Sequence, residues 1–158
     1  VLYVGIMLTA EGPKVIECNC RFGDPETEVV LPLLESDLYD IFIACATGSL
    51  DDVDIKWSSD AAVTVVMASS GYPTSRSDPS PITGIDAATA SGCTVFHAGT
   101  ATGDGEVVAA GGRVLTVTAL RPTLAEAADA AHEGVALISF DGAQHRADIA
   151  RVTAEVCP

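Results

Sequence analysis

An α+β fold in two pieces is predicted for this 158-residue chain by three features of its sequence. Its first 21 residues read as two strands around a Gly-Pro turn, followed directly by helix signals rather than by another strand. From Ala61 onward short strands dominate, with a single well-capped helix opening at Thr123. Between these parts, residues 49–60 are rich in Asp and Ser and read as a linker or exposed crossing. No internal repeat is visible.

The elements follow in order. Val1–Leu8 is a strand from its first residue, Thr9–Lys14 a turn containing Gly12-Pro13, and Val15–Arg21 the returning strand. With no Met or polar lead-in before it, such a start is expected of a fragment cut from a larger fold. Asp24-Pro25 is expected as an N-cap with Pro at the first helical position, opening an apolar helix over 25–34 that Pro32 disturbs. Ser36 is expected to cap a second helix, in which Leu38, Ile41, Phe42 and Cys45 keep helical spacing until Gly48 ends it. Ala61–Ser69 reads as a strand, 71–85 as a long polar loop, and Cys93–Ala98 as a strand. Glu106–Ala110 and Arg113–Ala119 are expected to form a hairpin around Gly111-Gly112. Thr123-x-x-Glu126 is a capping box, and Leu124, Ala127, Ala128, Ala131 and Val135 fall on one helix face.

Composition narrows the function classes. Hydrophobic residues make up 48% of the chain, so disorder is excluded as its general state. No apolar run approaches the roughly 20 residues that span a bilayer, and no secretory leader pattern is present. The net charge of −14 makes nucleic acid and anionic membranes poor partners and suits an acidic, soluble surface. Five cysteines at scattered spacings (18, 20, 45, 93 and 157) suggest buried, reduced thiols in the cytoplasm rather than a disulfide framework or zinc site.

The chemistry concentrates in Glu17-Cys18-Asn19-Cys20-Arg21-Phe22-Gly23-Asp24-Pro25-Glu26-Thr27-Glu28. On a strand, Glu17, Asn19 and Arg21 project to one side, and Ile16, Cys18 and Cys20 to the other, expected to be core. A carboxylate and an amide two residues apart suit Mg²⁺, which takes hard oxygen ligands and leaves sites for phosphate and water. Arg21 on the same face could hold a transferring phosphoryl group. The spacing alone is weakly specific and fits a solvent-facing strand edge better than a metal site, with a Glu–Arg pair worth under about 1 kcal/mol.

The extended pattern, from Glu17 through Arg21-Phe22-Gly23-Asp24-Pro25-Glu26 to Glu28, closely resembles the signature of the phosphoribosylamine–glycine ligases (glycinamide ribonucleotide synthetases) of the ATP-grasp superfamily. The resemblance continues through Gly12–Val15, Leu31–Leu34, Ser36–Tyr39, Thr64–Ser69, Gly71-Tyr72-Pro73, Val95–Thr100 and Gly111–Leu115, nearly the whole chain in order. It implies the end of an ATP-grasp domain over 1–50, a linker over 51–60, and a small antiparallel β-rich C-terminal domain over 61–158. It further implies ligation of glycine to 5-phosphoribosylamine at the expense of ATP, through a glycyl phosphate, in de novo purine synthesis. Glu17 and Asn19 match the family's ligands for Mg²⁺ or Mn²⁺, and Arg21 its phosphate-facing catalytic arginine. Asp24 and Glu26 are expected either to cap the helix or to orient Arg21 or the glycine ammonium, with Phe22 and Gly23 making the tight turn.

The nucleotide-gripping loop and lysines of that family would lie before Val1. The chain holds only Lys14 and Lys56 as lysines and no G-x-x-x-x-G-K-[ST], so alone it is expected to be inactive, needing the missing N-terminal portion of the enzyme as its partner. Other ATP-grasp ligases and carboxylases share E-x-N-x-R but continue differently, and a non-catalytic docking module is the reading from another class. His97 is expected to be structural, His132 and His145 surface groups, and Arg113 a surface strand residue able to reach an anion. Ser69-Ser70-Gly71 lacks the strand-to-helix context of a hydrolase nucleophile.

Overall fold

A computed structural model describes residues 1–75, 77–103 and 105–151, and it is a mixture of helices and antiparallel sheets. The strands β1 (Tyr3–Thr9) and β2 (Gly12–Asn19) form a two-stranded ribbon closed by a turn in which Gly12 takes a φ of 102°. Its register slips between Gly5 and Ile6, since Gly5 faces Glu17 and Ile6 faces Val15, leaving Ile16 as the extra residue of a bulge. The expected burial of Ile16, Cys18 and Cys20 does not occur: all three are exposed, as are Ile6, Met7, Leu8 and Val15. A two-stranded ribbon has no second layer of its own, so a period-two pattern assigns faces here but not a core.

The helix expected over 25–34 is shorter and differently capped. Helix α1 spans only Thr27–Val30 with Glu26 at its N-cap, and a 3₁₀ turn follows over Leu31–Leu33 with Pro32 inside it. Asp24 does not cap it, because its carboxylate turns to Arg113; Thr27 Oγ1 instead donates to the Gly23 carbonyl at 2.6 Å. Helix α2 (Leu38–Thr47) is capped by Asp37, whose Oδ1 accepts from Tyr39 N at 2.8 Å, and Gly48 ends it with a φ of 72°. Ser36, expected at that cap, accepts from Lys56 N at 2.7 Å instead. The acidic stretch after α2 includes a 3₁₀ turn at Leu50–Asp52 and then pairs back on 33–35 through Glu35 N to Lys56 O and Ser58 N to Leu33 O.

The remaining chain builds two three-stranded sheets. One has the order β3 (Ala61–Ala68), β8 (Arg113–Arg121), β5 (Thr94–His97), and the other the order β4 (Ser80–Pro81), β7 (Glu106–Ala109), β6 (Thr100–Gly103). The expected hairpin of 106–110 with 113–119 is therefore not formed. Gly111-Gly112 carries the chain from one sheet to the other, and Gly111 packs against Gly99, where a Cβ would lie 2.8 Å from the Gly99 Cα.

Helix α4 (Leu124–Leu137) lies across one face of the β3-β8-β5 sheet, with the short α3 (Ile85–Ala90) beside it. Its cap is the expected one, Thr123 Oγ1 accepting from Glu126 N at 3.3 Å. The buried face consists of Ala127, Ala128, Ala131, Gly134 and Val135, while Leu124 is outside it. These small side chains bring the helix close to Val63, Val65, Met67, Leu115, Val117 and Ala119, the centre of the core. Each large aliphatic chain buried there contributes about 1.5–3 kcal/mol. Among the described residues, no helix is long and apolar enough to cross a membrane.

Candidate functional site

The opposite face of that sheet, away from α4, meets the first part of the chain. Thr64, Thr116 and Thr118 lie on it, a polar stripe that would be costly to bury without partners. Thr118 Oγ1 donates to the Glu28 carbonyl at 3.1 Å and accepts from Thr64 Oγ1 at 2.7 Å, so α1 sits on the stripe. Thr116 Oγ1 and Glu28 Oε2 are buried at this seam without a partner among the described residues. A bulge in β8 also matters. Met67 faces Leu115 but Ala68 faces Arg113, so Val114 is the extra residue. Arg113 thereby leaves the side of Leu115 and Val117 and joins that of Val66 and Ala68. From there it reaches the first part of the chain: Nη2 donates to Asp24 Oδ2 at 2.8 Å and Nη1 to the Asp24 carbonyl at 2.9 Å. This two-pronged contact, with side chains 35% and 47% exposed, joins the signature segment to the sheet.

On the ribbon, the bulge at Ile16 precedes the row of interest, so Glu17 and Asn19 keep a common face. Cross-strand pairing sets Gly5 opposite Glu17 and Tyr3 opposite Asn19. Gly5 has a reason to be glycine, since a Cβ there would stand 3.2 Å from Glu17 Cγ. The strand ends at Asn19, so Arg21 belongs to the bend after it, yet the bend returns Arg21 to the row. Its Nη2 donates to Asn19 Oδ1 at 3.3 Å and its Nη1 to the Phe22 carbonyl at 2.7 Å. Glu26 approaches the same face, accepting from the Tyr3 hydroxyl at 2.9 Å. That bond, with the nearby charges of Glu26 and Glu17 as lesser contributions, raises the Tyr3 pKa above its ordinary value.

The structure therefore brings Asn19 and Arg21 into contact, sets Glu17 beside them, and ties Glu26 to the ribbon through Tyr3. Asp24 points away from the row toward Arg113. Tyr3 was not singled out by sequence; the signal that could have found it is its position opposite Asn19 once the hairpin is paired. His97, expected to be structural, is exposed, with its Nδ1 3.1 Å from Thr100 Oγ1. His132, expected at the surface, is half-buried and donates from Nε2 to the Ile149 carbonyl at 3.0 Å. His145 is exposed. Of the cysteines, Cys93 is buried, Cys18, Cys20 and Cys45 are exposed against expectation, and Cys157 lies outside the described residues.

The donor set on the ribbon fits a hard divalent cation. Glu17 offers an exposed carboxylate and Asn19 an amide oxygen whose one protein bond, to Arg21, is long. Asn19 Nδ2 is buried without a partner among the described residues and, being a donor, would suit an acceptor such as a phosphate oxygen rather than the cation. Among the described residues no group of three or more His, Cys, Asp or Glu converges. Two oxygen ligands with room for phosphate and water are what Mg²⁺ accepts, whereas a closed all-protein cage would be foreign to it.

Comparison with known proteins agrees with this architecture. Residues 62–152 match the family "Phosphoribosylglycinamide synthetase, C domain", and residues 1–27 match "Phosphoribosylglycinamide synthetase, ATP-grasp (A) domain". The chain is 55% identical over 150 residues to the trifunctional purine biosynthetic protein adenosine-3 of Gallus gallus, covering 94% of this chain and 15% of that protein. It is 50% identical over 154 residues to the phosphoribosylamine–glycine ligase of Streptomyces coelicolor, covering 95% of this chain and 37% of the ligase. The crystal structure of phosphoribosylamine–glycine ligase from Thermotoga maritima superposes with a TM-score of 0.73 at 33% identity, over 94% of this chain and 36% of that one. The chain thus spans well under half of each of these relatives. With two family matches in chain order and a shared fold, this chain belongs to the phosphoribosylglycinamide synthetase family.

Proposed function

We propose that this chain supplies the metal- and phosphate-facing part of a phosphoribosylamine–glycine ligase acting in de novo purine synthesis. ATP passes its γ-phosphoryl group to a carboxylate oxygen of glycine, giving glycyl phosphate and ADP. The amine nitrogen of 5-phosphoribosylamine then attacks the glycyl carbonyl carbon. The carbon–oxygen bond to phosphate breaks, the nitrogen gives up a proton, and glycinamide ribonucleotide and inorganic phosphate leave. The observation carrying this reading is the shared face of Glu17, Asn19 and Arg21, within a segment whose whole pattern is that of the family.

Glu17 and Asn19 would hold Mg²⁺ or Mn²⁺, which when bound offsets phosphate charge. Arg21 is the catalytic residue. With its guanidinium fixed against Asn19 and the Phe22 carbonyl, its remaining N–H groups offset charge building on the phosphoryl oxygens. Its orientation is set before substrate arrives, so little ordering is left to be done in the transition state. Glu26 and Asp24 bind substrate: each has one carboxylate oxygen engaged, by Tyr3 and Arg113, and the other available to a glycine ammonium or the ribosylamine nitrogen. Thiols that are unpaired in the structure (Cys18, Cys20, Cys45 and Cys93) support a cytoplasmic setting, and a net charge of −14 supports small-molecule rather than nucleic-acid partners.

Because these residues span 37% of the Streptomyces coelicolor ligase, the 158 residues alone are expected not to turn over. The test uses the full-length protein carrying this chain, assayed for glycinamide ribonucleotide from ATP, glycine and phosphoribosylamine. Arg21→Met should lower kcat by about 10²-fold or more, and Glu17→Gln or Asn19→Ala should raise the Mg²⁺ concentration giving half-maximal rate. Wild-type rates in all three variants, or turnover by the 158 residues alone, would refute the assignment.

A further inference from the structure

Beside the seam lies a cleft of about 370 Å³ that the reaction above has not used. Its floor is Val66, Ala68 and the ring of Tyr72, and its rim carries Arg113, His145 and Arg146. In a chain with 22 acidic and 8 basic residues, two arginines and a histidine around one cleft run against the composition. The local architecture is built to place them. Gly112 leaves room for the Tyr72 ring, since a Cβ there would stand 2.8 Å from Tyr72 Cδ2. Gln144 pairs with Ala68 through both backbone bonds, at 2.8 and 2.9 Å, and its Nε2 donates to the Ser69 carbonyl at 2.8 Å, which holds His145 and Arg146 against the end of β3. The β8 bulge turns Arg113 to this side.

Both guanidiniums are oriented without being used up. Arg113 spends one N–H of each Nη on Asp24, and Arg146 bonds Asp148 through Nε at 2.9 Å and Nη2 at 2.5 Å, leaving Nη1. The two carboxylates lessen the local positive charge but fix the donors' directions, as in many anion sites where an acid orients the arginine. An apolar, aromatic floor with a rim of such donors suits a pentose ring lying on Tyr72 with a phosphate monoester at the rim. Flat anions without a ring would leave the floor uncovered.

We infer that this cleft binds the ribose 5-phosphate part of the phosphoribosylamine substrate, with Arg113 and Arg146 on the phosphate and Tyr72 under the sugar. This rests on the ligase reading, and it adds where the sugar phosphate sits. The Asp24–Arg113 contact makes the cleft continuous with the signature segment, so an amine at the other end of the ribose would be directed toward Asp24.

The experiment is calorimetric titration of the full-length protein with ribose 5-phosphate, with ribose as the phosphate-free control and a non-hydrolysable ATP analogue as a second ligand. Ribose 5-phosphate should bind and ribose should not. Arg113→Met should weaken ribose 5-phosphate binding about tenfold or more, the worth of a charge-assisted hydrogen bond, and Arg146→Ala only about threefold, because that side chain is largely exposed, with affinity for the ATP analogue unchanged. A purely structural Arg113 would make Arg113→Met lower the urea midpoint and weaken the ATP analogue together with ribose 5-phosphate. A binding role predicts instead a loss confined to ribose 5-phosphate, at an unchanged urea midpoint. If Arg113→Met does not fold, Arg146→Ala decides, since that arginine lies on the exposed rim. Unchanged ribose 5-phosphate affinity in the folded arginine variants overturns the inference while leaving the ligase reading intact. Absence of any ligation by wild-type protein overturns the ligase reading, and the titration still decides the cleft.

Discussion

Gly134→Ala should destabilise the fold, although in most helices that change is favourable. Gly134 lies on the face of α4 that meets the sheet. In a solvent-facing helical site, replacing Gly by Ala gains about 1 kcal/mol. Here the new methyl would stand 2.7 Å from Cys93 Sγ and 3.0 Å from Val117 Cγ1, both closer than carbon can approach without movement. Neither neighbour yields freely. Val117 is fully buried in the central strand and β-branched, with its χ1 restricted. Cys93 is 5% exposed, and its Sγ donates to the Ala130 carbonyl at 3.4 Å. Overpacking of this kind costs about 1–3 kcal/mol, so the net effect is a loss of about 1 kcal/mol. Urea unfolding followed by circular dichroism would read it as a lower midpoint at unchanged slope. Combining the change with Cys93→Ala removes the nearer contact and should recover most of the loss. A stabilised Gly134→Ala variant, or a double mutant showing no coupling, would refute the close packing of α4 on β8.

Other consequences can be checked separately. Asp24→Ala and Arg113→Ala should show a coupling of under about 1 kcal/mol in a double-mutant cycle, because the pair is half-exposed and the Nη1 bond to the Asp24 backbone carbonyl survives Asp24→Ala. That coupling should shrink at high salt. The Tyr3 phenol, held by Glu26, should ionise at a higher pH than an ordinary tyrosine, and Glu26→Gln should lower its midpoint in an ultraviolet phenolate titration. The raised folded-state pKa means that this contribution to stability is whole below the unfolded pKa and is lost as pH rises through the folded one. Thr123→Ala should cost about 1 kcal/mol, through the lost cap of α4, with no effect on ligand binding.

How much was legible in the sequence depended on whether the deciding contact was local. The α4 cap and the left-handed end of α2 at Gly48 depend on neighbours within a few residues, and each formed as read; the hairpin also formed, but its turn is tighter than the expected 9–14, because Gly12-Pro13 already belongs to β2. The common face of Glu17 and Asn19 was also legible, because strand periodicity is local, whereas Arg21, read as part of the strand, lies in the bend after it and rejoins the row through its bond to Asn19. What failed was decided by distant partners. Asp24 has the residue type and position of an N-cap, but Arg113, 89 residues away, takes its carboxylate. Leu124 fits the helix periodicity, yet as the first residue of α4 it is exposed, and the face that meets the sheet begins at Ala127. Glu106–Ala109 pairs with β6 and β4 rather than β8, since Gly111 is drawn against Gly99. Alternation along β2 could say which residues share a face but not whether anything covers it.

The bulge at Val114 shows that the phase of a strand can be a functional variable in its own right. If the bulge healed, with no residue changed, Val114 would take the place opposite Ala68 and Arg113 would move to the other side. The cleft would lose its inner guanidinium and the signature segment its anchor, while composition, net charge and nearly all of the core stayed as they are. Selection on such a site therefore acts on the count of residues between Gly112 and Leu115 as much as on their identity. A one-residue insertion or deletion there should be more damaging than most substitutions at the same positions, and sequence comparison that scores residue types alone will miss the reason.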